Sequence, residues 1–519
     1  MQLDSLRHDY RFWNLVHDLV IRKNCQLLFH KGEEVWLEDD SVKPTRIFRI
    51  VRKDLDWANR YKEEMVATAK KMELIRRERR LREVQAENIY VTVLPPVDDY
   101  SSLTSPLYVG KKKKTVVHTS FIFQDEKTQG AVLSERLLQS GFLLSNLPVD
   151  GELEPMQLDA KMVALKYELK LYADKKKKEE KELFSFGKPM VTYALLVMNV
   201  FIFILIELYG DSESILTLVE VGAKYSPLIL DGEWWRIITS MFIHIGFLHL
   251  LMNSLALYFL GTLVERIYGS FRFVFIYFTA GVIGTLVSFW MNLSIGAGAS
   301  GAIFGLFGAL LYFGLNYRKL FFRTMGANVL IVLAINLAFG FLIPVVDNSA
   351  HVGGLIGGFL AAYVIQLPKQ KKSVKQLIAV VSLFIMSLVP FLFADALLPK
   401  DEFDLLEAQI AYLYIEEEKL SEAYTFLERP YARGTDVGEI YFYLGYLKIK
   451  DEEISEAKEL FEQALEKNPN LHPAYFNLSL IVEAEEDYDQ ALEYIQKAIE
   501  LNPDRDEQYI ERLKELENR

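Results

Sequence analysis

At 519 residues, 51% of them hydrophobic and 25% charged, the chain is too long for one domain, and its apolar and charged residues must be segregated. They are: residues 400–519 carry a net charge of −18 and the other 399 carry +6, so only the tail is acidic. The single cysteine, Cys25, excludes an intrachain disulfide and a cysteine-based zinc site. The N-terminal stretch Met1–Leu19 is too charged for a secretory signal peptide and is expected to stay in the cytosol.

Residues 1–180 read as a soluble α+β or α/β domain ending in a basic linker. "CQLLFHKGEEVWLED" and "TRIFRIV" have the composition of strands, as do "NIYVTVL" and "TVVHTSFIF". Between them, Lys53 to about Glu87 reads as a long helix with an apolar face through Ala58, Tyr61, Met65, Ala69, Met72 and Ile75. His8, His17 and His30, set among many carboxylates, are the candidate ligands of a regulatory divalent cation, although scattered histidines are more often structural. Lys111–Lys114 and Lys175–Lys178 suit solvated faces or contacts to anionic lipid. A domain moored to a membrane is a poor candidate for binding nucleic acid.

Seven apolar runs follow, near 190–209, 248–267, 271–292, 300–316, 328–344, 350–367 and 376–398. A helix rises about 1.5 Å per residue and the hydrocarbon layer is about 30 Å thick, so each is a candidate span. Seven such runs leave too little polar surface for a soluble bundle. The basic loops "DKKKKEEK", Arg266 with Arg272, "NYRKLFFR" and "PKQKKSVK" all fall on one side of this arrangement. Because basic loops are retained in the cytoplasm, the N-terminus is expected inside and the acidic tail outside.

The tail repeats with a period of 34. Tyr441 and Tyr475, Leu444 and Leu478, Ala464 and Ala498, and Pro469 and Pro503 are one period apart, and Ala423, Ala457 and Ala491 give three copies. The spacing resembles that of tetratricopeptide repeats, whose helix pairs stack through small residues into an all-α solenoid. The first copy, from about 404, is degenerate and reads as a cap. The module is expected to bind protein partners or simply to stack.

Polar residues inside a membrane are expensive, so the chemistry is sought there. His249 and Asn253 share one helical face near the outer end of the second span, and His244 precedes them by one to two turns. Ser300 opens the fourth span after a glycine-rich run, and His351 opens the sixth, again at the outer end. Three of the chain's eight histidines thus fall at one depth.

With these residues in view, the segment from about 187 to 367 resembles the rhomboid family of intramembrane serine proteases. Gly298, Ala299, Ser300 and Gly301 match its G-x-S-G, "AHVGG" its histidine helix, and "HLLMN" its H-x-x-x-N. Gly261, Glu265 and Gly269 fit G-x-x-x-E-x-x-x-G, and "GEWWR" (Gly232–Arg236) resembles the loop that dips sideways into the outer leaflet. An N-terminal soluble domain, a seventh helix and C-terminal repeats are similar to the arrangement of bacillus-type rhomboids.

The resemblance implies a polytopic α-helical core of six transmembrane helices plus a seventh, in a bacterial plasma membrane. It implies transmembrane proteins as substrates and no cofactor for catalysis. Ser300 would be the nucleophile and His351 its base, forming a dyad without an acid. Asp347, one turn before His351, reads as solvated. The backbone N–H of Ser300 and the side chains of His249 and Asn253 would hold the oxyanion.

His244, Gly298, Gly301, Phe304, Gly354, Glu265, Trp235 and Arg236 are expected in support. Phe304 would pack under the His351 ring, and the two G-x-x-x-G pairs, Gly301/Gly305 and Gly354/Gly358, would let the fourth and sixth helices meet. Glu265 would orient a helix from the cytoplasmic end, and Trp234–Arg236 would form an interfacial belt, with or without a role beside the substrate entrance. The competing expectations are a catalytically silent client-binding relative and a transporter. Retention of Ser300, His351, His249 and Asn253 argues against the first, and the lack of an acidic relay or a visible inverted repeat argues against the second.

Overall fold

The computed structural model describes residues 2–54, 57–79, 81–94, 96–122, 154–343, 346–368, 370, 373–393, 400–502 and 507–518. Phe123 of the last predicted strand, Pro344 of the fifth apolar run, Lys371 of the fourth basic loop, residues 394–398 of the seventh run and Pro503 of the repeat lie outside these. The chain divides into two compact units, Met1–Lys181 and Glu182–Arg519.

Among the described residues of the first unit six strands form one sheet in the order β1-β2-β3-β4-β6-β5: β1 (Gln26–Lys31), β2 (Glu34–Asp39), β3 (Thr45–Arg52), β4 (Val84–Val91), β5 (Leu107–Val109) and β6 (Thr115–Ile122). Strands β3, β4 and β6 run parallel and the other pairs antiparallel. Side chains alternate across the sheet. Phe48, Ile50, Ile89 and Val91 pack with Phe12, Leu15 and Val16 of α1 (Gln2–His17), and with Leu169 and Tyr172 of α3 (Pro155–Leu183). On the opposite face Val51, Tyr90, Ile47 and Trp36 meet Tyr61, Met65, Ala69 and Met72 of α2 (Ala58–Glu78).

The α2 helix is shorter at both ends than its apolar periodicity predicts. At its end the Leu81 N–H turns back to the Arg76 carbonyl (2.9 Å), and Val84 onward pairs with both β3 and β6. Pairing on two sides outweighs the helix propensity of "VQAE", in which Gln85, Ala86 and Glu87 are good helix formers. His17 is engaged by Glu168 at 2.8 Å and His30 by the Gly32 carbonyl at 3.0 Å. Among the described residues no group of three or more His, Cys, Asp or Glu could hold a metal ion, so the structure gives the cation expectation no support.

In the second unit the described part of each of the seven apolar runs lies mostly on a helix, but the helices differ in reach. Among the described residues, four are long and apolar enough to cross a membrane: α4 (Met190–Tyr209), α5 (Gly246–Tyr268), α6 (Ser270–Met291) and α10 (Asn348–Ile365). A fifth crossing is made only if α8 (Arg318–Thr324) and α9 (Gly326–Leu342), which meet at 74°, count as one span. The helix α7 (Ser300–Asn316) and the apolar part of α11 (Lys375–Leu392), Lys375–Pro390, are shorter. Burial explains why α7 can be short: from Gly301 to Leu310 every residue is buried, so its neighbours cover its apolar surface.

Glycines set the spacing of that central packing. A Cβ on Gly354 would stand 2.0 Å from the Gly301 carbonyl oxygen, and one on Gly358 would stand 2.3 Å from the Gly305 Cα, so α7 and α10 touch backbone to backbone.

The C-terminal residues form antiparallel helix pairs: α12 (Lys400–Glu416) with α13 (Leu420–Ala432), α14 (Gly438–Lys450) with α15 (Ile454–Lys467), and α16 (His472–Ala484) with α17 (Tyr488–Leu501), followed by α18 (Glu507–Glu517). The repeat positions Ala423, Ala457, Ala464, Ala491 and Ala498 are fully buried where helices meet. The first pair does not simply cap the stack. Ala408, Ala411, Tyr414 and Phe426 share one apolar core with Leu216, Val219, Tyr225 and Leu228, which belong to the loop between α4 and α5. Arg429 pairs with Asp231 (2.6 Å) and the Tyr414 hydroxyl donates to Glu220 (3.2 Å) at the edge of this contact.

Candidate active site

Ser300 is the first residue of α7, and it is reached by an irregular segment that only glycine can form. Gly298 has φ +124°, and a Cβ there would lie 2.7 Å from His249 Cε1 and 2.9 Å from Nε2. The Gly298 N–H donates to the Ser240 carbonyl at 2.8 Å, which fixes the approach. His249 and Asn253, on successive turns of α5, therefore stand against the backbone just before the serine. The same added Cβ would be 3.9 Å from Asn253 Nδ2.

The hydrogen bonds assign the His249 tautomer. The Ile245 N–H donates to Nδ1 (3.3 Å), so the ring proton sits on Nε2, the nitrogen that faces Gly298. Asn253 donates through Nδ2 to the His249 carbonyl (3.0 Å). His244 is fully buried, with Nδ1 at 3.1 Å from the Phe242 carbonyl and its ring edge-on to His249 at 5.4 Å. It braces His249 through this ring contact.

On the other side, Gly301 lies against Ala350, with an added Cβ 3.4 Å from the Ala350 carbonyl oxygen. Ser300 and His351, each one residue from that contact, are brought to the same end of the α7–α10 packing. His351 is 8% exposed, and its Nδ1 has no hydrogen-bond partner among the described residues. The Asp347 carboxylate accepts from Ser288, Ser349 and the Ala350 N–H (3.1 Å) instead of from the imidazole. Asp347 is thus half-buried and caps α10, where the sequence suggests a solvated loop residue.

Glu265 lies at the far end of α5, fully buried, and accepts from the N–H groups of Val191 (3.0 Å) and Thr192 (2.8 Å) and from the Ser270 hydroxyl (2.6 Å). It holds the start of α4 and has no part near Ser300. Arg236 is 4% exposed, so it is not a belt residue. Its guanidinium donates to the carbonyls of Val219 (2.7 Å) and Ala223 (3.1 Å) and fastens the α4–α5 loop. Trp235, 40% exposed, lies beneath that guanidinium at 4.8 Å.

A cavity of about 40 Å³ opens beside Ser300, lined by Gly298, Gly301, Lys224, Ser288 and Asp347 among others. That is room for a small number of waters among polar groups. Lys224 and Ser288 carried no motif, and only the fold brings them here.

Residues 231–368 match the Rhomboid domain, and residues 438–471 and 472–505 each match a tetratricopeptide repeat. The chain is 35% identical over 409 residues to Rhomboid protease GluP of Bacillus subtilis (strain 168), covering 79% of each protein. It is 31% identical over 186 residues to Putative rhomboid protease YdcA of the same organism, covering 36% of this chain and 92% of that one. It is 38% identical over 162 residues to RHOMBOID-like protein 5 of Arabidopsis thaliana, covering 30% and 52%.

Proposed function

The chain belongs to the rhomboid family and is an intramembrane serine protease, and from that premise we propose that it cuts client transmembrane helices with a Ser300–His351 dyad. Ser300 Oγ attacks the scissile carbonyl while His351 takes its proton and returns it to the leaving amine. The tetrahedral oxyanion accepts from the Ser300 N–H, His249 Nε2–H and Asn253 Nδ2. The N-terminus of α7 adds about half a positive charge at that point.

The observation that carries this reading is the double packing around one segment. Gly298 seats the backbone before Ser300 against His249 and Asn253, while Gly301 and Gly354 bring α10, with His351 on its first turn, to the opposite side. The unpartnered His351 Nδ1 and the engagement of Asp347 elsewhere favour a dyad over a triad. Irregular backbone at membrane depth is tolerated where it lines a polar cavity, which suits the start of α7 below the surface.

The active groups gather at one end of the helices, and the repeats dock on the loop at that end. We read this end as extracytoplasmic, with residues 1–180 in the bacterial cytoplasm. Tetratricopeptide repeats mediate protein contacts, so those here are placed to hold a client's outer part or an assembly partner. The test is cleavage of a single-span reporter in membranes: wild type should release the fragment and Ser300→Ala should not. Cleavage by Ser300→Ala at the wild-type rate would overturn the mechanism, and an inert wild type would favour the client-binding alternative.

A further inference from the structure

Lys224 is 1% exposed, a position in which a lysine is retained only if its ammonium is paired and hydrogen-bonded. It donates to Ser288 Oγ at 3.1 Å and to the Asn292 carbonyl at 2.6 Å. Ser288, itself 2% exposed, gives its single hydroxyl proton to the Asp347 carboxylate, so towards Lys224 it acts as acceptor. The chain of donors therefore runs one way, from Lys224 through Ser288 to Asp347. Asp347 then caps α10 through the Ala350 N–H (3.1 Å), and its carbonyl accepts from the His351 N–H (3.3 Å).

The backbone of the same lysine holds the other half of the site. Lys224 and Gly296 exchange two hydrogen bonds, N–H to carbonyl, at 2.8 and 2.9 Å. Gly296 lies two residues before Gly298 and four before Ser300. One residue thus grips the approach to Ser300 with its main chain and the start of the His351 helix with its side chain. Burial pulls the Lys224 ammonium down to about 8, against the pull of Asp347.

We propose that Lys224 is a positioning residue for the reaction: acting through Ser288 and Asp347 on α10 and through Gly296 on the serine loop, it holds His351 and Ser300 at the spacing that proton transfer requires. The inference rests on the Ser300–His351 reading. It differs from a triad, since the Asp347 charge is spent on orienting a helix and on Lys224, and not on the imidazole. Misplacement of a reacting pair by a fraction of an ångström is costly even when the fold persists.

The full-length protein in detergent micelles allows a direct test, with a fluorophosphonate probe reporting Ser300 reactivity and a transmembrane reporter giving kcat and KM. Lys224→Met keeps the volume and removes the ammonium. It should lower the labelling rate and kcat by about tenfold to a hundredfold, with KM within about twofold of wild type. Asp347→Asn, which retains a capping oxygen, should lose less than Asp347→Ala, and the Lys224→Met/Asp347→Asn double variant should be no worse than Lys224→Met alone.

Wild-type labelling and kcat in folded Lys224→Met, or losses that multiply in the double variant, would overturn the proposal. Should Lys224→Met not fold, Ser288→Ala removes only the linking hydroxyl. It should slow labelling about threefold or more by loss of two charge-assisted bonds, from Lys224 and to Asp347, and an unchanged rate overturns the proposal equally. Failure of the premise would be separate: Ser300→Ala would still take up the probe.

Discussion

The Phe304 ring lies flat against the His351 imidazole, with ring centroids 4.1 Å apart and planes inclined by 11°. Phe304 is one turn into α7, so the helix that begins at the proposed nucleophile, Ser300, also carries the platform for its proposed base. A phenyl face supplies no hydrogen bond, hence it fixes the imidazole plane without competing for either nitrogen. Phe304→Leu keeps an apolar side chain but loses the stack, worth about 1 kcal/mol. The expected result is a kcat lower by roughly fivefold at nearly constant KM. A change confined to KM would mean that Phe304 serves substrate entry instead.

His249 and Asn253 stand against the backbone just before Ser300. If they hold the oxyanion, Asn253→Ala should cost about 3 to 4 kcal/mol of transition-state stabilisation, seen as a fall in kcat of about 10² to 10³. His249→Ala should act alike, and the double variant should lose less than the product of the single losses, because both serve one oxygen. Gly298→Ala should be worse than either, since alanine at φ +124° is strained and its Cβ would press on the His249 ring. Reporter cleavage with purified variants, beside a thermal-unfolding control, separates lost chemistry from lost fold.

Much of this site is legible in the sequence because rhomboid-type chemistry needs small residues where no substitute fits. Gly298, Gly301 and Gly354 are legible for that reason: each added Cβ meets a ring or a backbone atom within 3.4 Å. Lys224 and Ser288 are not legible, since a lysine 64 residues from a serine gives no periodic signal and they meet only when α6 packs beside the α4–α5 loop. Arg236 reads as an interfacial charge next to two tryptophans, and its burial depends on carbonyls of Val219 and Ala223 that no side-chain pattern announces. The overrun of α2 has the same origin, because strand β4 is imposed by partners at Thr45 and Thr115 far along the chain.

The topology can be tested through the tail. On the proposed topology, basic loops keep residues 1–180 inside, and an odd number of crossings would put the repeats outside, on the side of the loop they contact. With Cys25 replaced, single cysteines at exposed Tyr412 or Tyr488 should react with an impermeant maleimide in intact cells, and one at exposed Tyr167 should react only after permeabilisation. Labelling of the tail only in permeabilised cells would bring the crossings to an even number.

The docking of the repeats on the α4–α5 loop contains a titratable group. Glu407 is fully buried and accepts from Arg433 at 2.9 Å, with Arg429 at 3.9 Å and Asp231 paired to Arg429. Burial pushes the Glu407 carboxyl up, Arg433 and Arg429 oppose this, and Asp231 and Asp404 add to it, leaving it at about 7 against an ordinary 4.5. A carboxyl whose pKa is raised in the packed state favours packing when protonated. That contribution is complete below pH 4.5 and is lost as the pH rises through about 7.

Hydrogen exchange in residues 215–231 and 400–433 should therefore quicken between pH 5 and pH 8 beyond the intrinsic chemical rate. Glu407→Gln, which keeps the shape and an acceptor without the charge, should remove that excess. Slower corrected exchange at pH 8 than at pH 5 would show instead that the ionised carboxylate, paired with Arg433, is the form that holds the repeats against the loop.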